Sequence, residues 1–513
     1  MAEVGIRKWL ITFTVITAAT LELVDVTIVN VSLPQIMGNL GATLEDIGWL
    51  VTSYAVANVI ILPMSGWLGA QFGRKNYFLA SIIIFTFASF LCGNAHTLTE
   101  LIIFRIIQGL AGGGLLSTCQ AILLETWPRE EIGMATALFG LGAVVGPTIG
   151  PTIGGYITDH FSWPWIFYVN IPVGILAAGC VYIFVRGHRH ANPMRVDWIG
   201  ILLLIITVGS LQIFLEKGNG EGWFDTTYIA VLAFVVMIGT ILFIWRELSI
   251  ENPVVNFKIL RHRSFALGIV TSFAFGFALY SSTFALPIFC QNLLGFSAQQ
   301  TGIIIMYGGI ATISILPFVG MALKRGIPAQ LICVGGMILF LIFTQLMSHF
   351  TLSAGLDDFL LPILIRGVGL SLLFVPITTL ALQDVPHEEL GQATGLNNMM
   401  RQLGGSLGIA IITTIISSRM ALHHAHLSEN VSLNSPQFLQ RFNGMVAALT
   451  SKGYSISTAK QLAMQSINGS VMKQSYLLTY GDAFWIGGIL FMIAMPFIFL
   501  QRFKKKIKVA EAH

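Results

Sequence analysis

The chain has 513 residues, of which 55% are hydrophobic and only 10% charged, with a net charge of +4 and a mean hydropathy of +0.78. Soluble domains carry about 25% charged residues, so this composition excludes a string of aqueous domains and points to a polytopic membrane protein. The basic excess is spread over alternate loops, which is a topology signal rather than a nucleic-acid surface.

The first apolar run, Leu10 to Pro34, is too long for a signal-peptide core and has no convincing cleavage site, so an uncleaved first helix is expected. It carries Glu22 and Asp25, an i, i+3 pair that shares one helix face. Acids in hydrocarbon are expensive and usually face a cavity, a partner or a proton path. At a rise of about 1.5 Å per residue, Asp25 lies about 22 Å up a core of about 30 Å. Arg105, on a helix descending from near Leu98, lies about 10 Å below the far surface and so at similar depth. The two either pair, holding the carboxylate ionised until a proton or cationic substrate competes, or each snorkels to the nearer interface.

A window of about 19 residues gives fourteen spans, starting near positions 9, 47, 77, 99, 132, 165, 197, 228, 264, 300, 329, 358, 393 and 480. With the N-terminus in the cytoplasm, Arg7, Lys8, Arg74, Lys75, Arg129, Arg186, Arg189, Arg195, Arg246, Lys258, Arg261, Arg263, Lys324, Arg325 and the Arg502 to Lys508 tail fall inside. The short outer loops keep almost only Lys217, which satisfies the positive-inside rule and returns the C-terminus to the cytoplasm.

Gly66 to Lys75, GWLGAQFGRK, combines glycines (Gly66, Gly73) with Arg74 on a tight turn, read as a gate element or as a topology anchor. In GAVVGPTIGPTIGGYI, Gly146, Gly150 and Gly154 repeat every four residues, followed by Gly155. Such a stripe permits close helix approach, while Pro147 and Pro151 favour a bend at a moving interface. The polar connectors Arg186 to Asp197 and Arg246 to Arg263 bracket a helix pair. The expected fold is therefore all-α, with 14 transmembrane helices as a six-helix bundle (1–190), two inserted helices (191–260) and a second six-helix bundle (261–513). The halves echo each other weakly: GWLGAQFGRK matches GMALKRG from Gly320, and Arg105 matches Arg366. Parallel repeats of this kind mark a transporter built from two bundles. Arg366, Asn398 and Arg401 are the second half's candidate polar sites, Arg401 being either a buried partner for a carboxylate or an edge residue.

The stretch 419–479 is expected to be an outer loop folded as a helical hairpin, with Ser435-Pro436 as cap and first turn and a second helix after Ser457. It serves as a docking surface or as a plain cap over the pore. His423, His424 and His426 cluster at its start, but no acid stands at ligand spacing, so no metal site is expected. The five cysteines all fall in spans without a CxxC, which gives neither a disulfide framework nor a zinc site. No lysine precedes Ser or Thr, so there is no Walker A loop, and no nucleophile-base pair stands out. An enzyme is not expected, nor a cofactor, with a proton gradient as the energy source.

These motifs together resemble the fourteen-helix drug:proton antiporter family of the major facilitator superfamily, of the EmrB/QacA type. LVDVTIVNVSLP resembles its first-helix motif, with the acid at Asp25. GWLGAQFGRK resembles the loop between helices two and three, RIIQGLAGGG the helix-four arginine motif, GPTIGPTIGGY the antiporter motif, and WPWIFYVNIPVG (163–174) a signature of the family. One position departs: Ala70 stands where the loop motif has an acid, so Arg74 needs another partner. The loop beginning HHAH looks more like the EmrB branch. The resemblance implies a multi-pass transporter of the bacterial inner membrane that exports hydrophobic or amphipathic compounds in exchange for protons. It further implies a periplasmic membrane-fusion protein and an outer-membrane channel as partners. Asp25, Glu22 and Arg105 are the expected proton-coupling residues. Export of one defined metabolite or lipid is the alternative.

Overall fold

The computed structural model describes residues 5–128, 131–187, 196–386, 388–429, 431 and 435–500. Arg129, Arg189, Arg195, the basic tail from Arg502 and the side chains of Pro147 and Pro151 lie outside the described residues. The described chain is helical: α1 (Ile6–Leu40), α2 (Leu44–Phe72), α3 (Arg74–Gly93), α4 (Leu98–Thr126), α5 (Ile132–His160), α6 (Trp165–Tyr168), α7 (Asn170–Phe184), α8 (Trp198–Lys217), α9 (Thr227–Ser249), α10 (Arg263–Ile288), α11 (Ala298–Lys324), α12 (Ala329–Ser348), α13 (Leu360–Leu382), α14 (Leu390–Glu429), α15 (Pro436–Ser451), α16 (Ile456–Met492) and α17 (Met495–Leu500). Thirteen helical segments are long and apolar enough to cross a membrane, and α5 adds the shorter apolar stretch Ile132–Gly146. With α6 and α7 as one span broken at Val169 and α15 lying outside the series, fourteen crossings result.

Local sequence sets the helix starts. Thr43, Thr97, Ser435 and Ser455 each accept a backbone N–H of the first turn, and Ser297 forms a full capping box with Gln300. Gly73, at φ +84°, turns the chain between α2 and α3 in a conformation that side-chain-bearing residues resist.

Packing comes in matched pairs. In the first bundle α1 packs on α4, α5 and α7, α2 on α4, and α3 on α4 and α7; in the second, α10 packs on α13, α14 and α16, α11 on α13, and α12 on α13 and α16. The bundles meet along α2 with α14 and α5 with α11, again a matched pair. This is the major facilitator arrangement of two six-helix bundles, with α8 and α9 inserted. Helix α8 lies against α2 and α14 at the seam, where Gln212 accepts from Ser406 at 3.0 Å. Helix α9 packs behind α8 and turns Val231, Phe234, Ile241 and Trp245 outward, an apolar surface that lipid covers.

In the region 419–479 the expected hairpin is present, with Ser435 capping α15, Pro436 in its first turn and α16 starting at Ile456, but its two ends differ from expectation. Helix α14 runs on to Glu429 and α16 runs unbroken from Ile456 to Met492, so both membrane helices extend beyond the apolar zone and only α15 is a separate element. No Gly or Pro interrupts the chain between Arg419 and Glu429, and nothing else stops a helix already propagating. The His cluster therefore lies on a helix rather than in a loop, with His423 paired to Asp482 of α16 at 2.9 Å.

The opposite end of the molecule is pinned by ion pairs. Glu131 binds Lys8 of α1 at 2.9 Å and Lys324 of α11 at 2.8 Å, so one carboxylate ties the bundles together. Hydrogen bonds from Lys324 and Lys8 hold the Glu131 carboxyl below its ordinary value of 4.5. A depressed value means the latch is complete above that range and is lost only as pH falls beneath it. Protons in the neutral range therefore leave it shut, and bundle motion must break it. Glu131→Gln is expected to speed labelling of a cysteine placed at the buried Ala137 beside α11; an unchanged labelling rate would show that the latch does not hold this face closed.

Candidate functional site

Helix α1 can carry two acids through the membrane because its neighbours meet them with polar groups. Asp25 is fully buried and accepts from Arg105 Nη1 at 2.6 Å on one oxygen. Its other oxygen accepts from Gln108 at 2.9 Å and from Asn170 at 2.7 Å. Gln108 also accepts from Arg105 at 2.7 Å, and Gln108 and Asn170 both reach Ser89. Both carboxyl oxygens of Asp25 are thus saturated by donors from α4 and α7, the compensation that a buried ion pair requires. The guanidinium is covered by the Tyr54 ring, 4.0 Å away.

Glu22 is equally buried but differently served. Asn58 of α2 donates to Oε1 at 2.7 Å, while Oε2 has no partner, and neither has the hydroxyl of Tyr54. The charge of Arg401, on α14 of the other bundle, acts on Glu22. Arg401 is buried, donates to Asn398 at 2.7 Å and faces the Phe374 ring at 5.3 Å. Asn398 donates to Gln120 at 3.0 Å and to Ser117 at 3.4 Å, both on α4. A polar chain therefore runs from α14 to α4, while the under-satisfied carboxylate of α1 is tied to α2. One acid is fully bonded and the other keeps an unpartnered oxygen, an acceptor still open to a proton or a cation.

Arg366 stands apart from this chain. It bonds Ser282 at 3.1 Å and Thr283 at 2.5 Å within its own bundle.

The glycine motifs lie at the helix crossings that carry these groups. A Cβ at Gly146 would stand 2.5 Å from Leu23 Cβ, one at Gly150 would stand 2.0 Å from Thr27 Oγ1, and one at Gly154 would stand 2.9 Å from the Ile28 carbonyl oxygen. Helix α5 is thus pressed on the face of α1 that adjoins the acids, as small residues allow. Gly155 has open space by comparison, its nearest neighbour being 3.8 Å away. A Cβ at Gly66 would stand 2.4–2.5 Å from the backbone of Gly391 and Gln392, so α2 closes on α14 near the ion-paired end only because none is there. Arg74 finds its partner in Glu125 of α4, and its guanidinium lies beside Gly391. Ala70 thus leaves Arg74 paired within the first bundle while it touches the second.

Sequence reading missed the neutral half of the site. Asn58, Tyr54, Gln108, Gln120, Ser89 and Asn170 have no charge to betray them in an apolar run. Two carried a signal: Gln108 stands at i+3 from Arg105 on the same face, and Asn170 lies within the 163–174 signature.

The sequence profile of the Major Facilitator Superfamily matches residues 15–409. The chain is 30% identical over 501 residues to the multidrug export protein EmrB of Escherichia coli, covering 97% of this chain and 96% of that protein. It is 32% identical over 489 residues to EmrB of Haemophilus influenzae, covering 94% and 93%. Among solved structures, the human organic anion transporter MFSD10 (TETRAN) superposes with a TM-score of 0.62 over 96% of this chain and 99% of that one, at 12% identity, a likeness of fold alone. The chain therefore belongs to the major facilitator superfamily and, within it, to the EmrB family.

Proposed function

We propose that this protein exports hydrophobic and amphipathic compounds in exchange for protons, by alternating access of its two bundles. Relatives named as multidrug export proteins support the substrate range. The observation that carries the proton coupling is the contrast between saturated Asp25 and half-satisfied Glu22 on one helix face. In this reading Glu22 takes a proton when the site opens to the acidic side, which releases cationic or polar substrate from the seam. Asp25 and Arg105 keep α1, α4 and α7 in register while the bundles rock.

The ring of basic residues around Lys8, Arg74, Lys75 and Lys324 supports a cytoplasmic face there, with both termini inside and the protein in the inner membrane of a bacterium. The division into 1–190, 191–260 and 261–513 is proposed as the unit structure of the motion. The extended ends of α14 and α16 with α15 form a projection on the other side. It suits docking of a periplasmic membrane-fusion protein and, through it, an outer-membrane channel.

A growth screen in an efflux-deficient strain tests the range: expression of the chain should raise resistance to several chemically unrelated amphipathic toxins. Resistance to none would shift the reading to a single metabolite or lipid. Loss of labelled substrate exchange across sealed vesicles would remove transport altogether.

A further inference from the structure

Tyr54 of α2 adjoins the groups of both acids on α1. Its ring covers the guanidinium of Arg105 at 4.0 Å, the group that neutralises Asp25. Its hydroxyl end lies beside Glu22. A Cβ at Gly112 of α4 would stand 2.6 Å from the Tyr54 hydroxyl oxygen, 3.2 Å from Glu22 Cγ and 3.4 Å from Asn58 Nδ2, so three side chains gather over one glycine. Tyr54 is 3% exposed and Glu22 2%, yet the hydroxyl and Glu22 Oε2 each make no hydrogen bond. A buried donor and a buried acceptor left unpaired in one small space cost free energy on both sides. A hydroxyl relieves that cost in either protonation state, because it donates to a carboxylate and accepts from a carboxylic acid.

We infer that Tyr54 is a positioning residue for proton exchange at Glu22: its hydroxyl donates to Oε2 when Glu22 is ionised, and its ring, moving with the hydroxyl, carries the change to Arg105. The inference rests on the export reading and names the side chain that sets when Glu22 gives up its proton. The other charged and titratable groups around Glu22 and Tyr54 are Asp25 on α1, Arg105 and Cys119 on α4, Tyr280 on α10 and Arg401 on α14. Asp25 and Arg105 hold each other, and a thiol is a weak donor. Tyr280 and Arg401 belong to the second bundle and leave with it when the bundles rock. Tyr54 belongs to the bundle that carries Glu22 and stays beside it throughout. A hydrogen bond to the charged form of an acid favours that form, so this hydroxyl helps Glu22 release its proton.

The test follows Glu22 directly, by infrared titration of the purified full chain in nanodiscs. The carbonyl stretch of its protonated carboxyl is the band that Glu22→Gln lacks, and its loss with rising pH gives a midpoint. Tyr54→Phe keeps the ring on Arg105 and deletes only an unbonded hydroxyl, so it should fold with a melting temperature no lower than the wild type. Its midpoint should nevertheless move to higher pH by about one unit, the size of one hydrogen bond to a charged group. The pH profile of uphill efflux in inverted vesicles should move with it. Tyr54→Leu strips the ring as well, and should combine the same shift with a lowered melting temperature. A residue that only fills space would leave the midpoint of Tyr54→Phe where the wild type has it, and that result overturns the assignment; so does a Glu22 band that never responds to pH. The titration needs no gradient or substrate, so the two readings fail separately. A shifted midpoint in a chain that never drives uphill efflux refutes the export reading alone. Uphill efflux with an unshifted midpoint in Tyr54→Phe refutes the role of Tyr54 alone.

Discussion

Glu22→Gln is expected to leave the protein folded and able to exchange labelled for unlabelled substrate, while uphill efflux driven by a pH gradient falls by about 5- to 150-fold, the usual size of a coupling between two linked binding events. The variant is structurally mild because Asn58 donates to Oε1, and a glutamine carbonyl accepts that bond equally well. What disappears is the ability to gain and lose a proton at an atom with no protein partner, Oε2. Asp25→Asn should behave differently. It removes the charge opposite Arg105, and an uncompensated buried cation costs about 3–5 kcal/mol. Exchange and uphill efflux should therefore fall together, with a lowered melting temperature. Inverted vesicles with a fluorescent substrate report uphill efflux, and counterflow reports exchange. Should Glu22→Gln pump at the full rate, the proton is carried elsewhere. If Asp25→Asn also pumps normally, the buried network on α1 has no part in coupling.

Gly146→Ala and its second-half counterpart Gly404→Ala should each reduce transport by more than about tenfold, since overpacking a tight crossing costs about 1–3 kcal/mol and here the displaced helix bears the site. A Cβ at Gly146 would stand 2.5 Å from Leu23 Cβ and 2.9 Å from the Leu23 carbonyl carbon. Backbone cannot swing aside, so α1 must move, and Leu23 is the residue next to Glu22. At Gly404 the new carbon would stand 2.0 Å from the Phe273 carbonyl oxygen, and at neighbouring Gly276 it would stand 1.9 Å from the Arg401 oxygen. Helices α10 and α14 are therefore pressed together where Arg401 and Asn398 reach across to the first bundle. Gly179→Ala is the control, because nothing lies within 4 Å of a Cβ there; its transport and melting temperature should match the wild type. Full activity in Gly146→Ala would mean that α1 and α5 are not this close in the working protein.

The sequence by itself determined that the chain is a membrane-spanning helical protein of two related halves, and it marked Glu22, Asp25, Arg105, Arg366 and Arg401 as costly residues. That is legible because hydrocarbon imposes two local rules, an apolar run long enough to cross and a penalty on every charge inside it. What meets each charge was decided only in three dimensions. Asp25 bonds residues 80, 83 and 145 positions away, and no periodicity in one helix can specify which neutral Asn or Gln on another will face it. The same reason explains why Arg105 and Arg366 look alike as letters yet differ in the fold: one meets a carboxylate and the other two hydroxyls. Within 419–479 the hairpin was legible from the Ser435-Pro436 cap, but the continuity of its ends was not, because a polar helix leaving the membrane looks like a loop to a hydropathy window, whereas hydrogen bonding lets α14 and α16 run on through it. Local cost is written in the chain, and its compensation comes from packing.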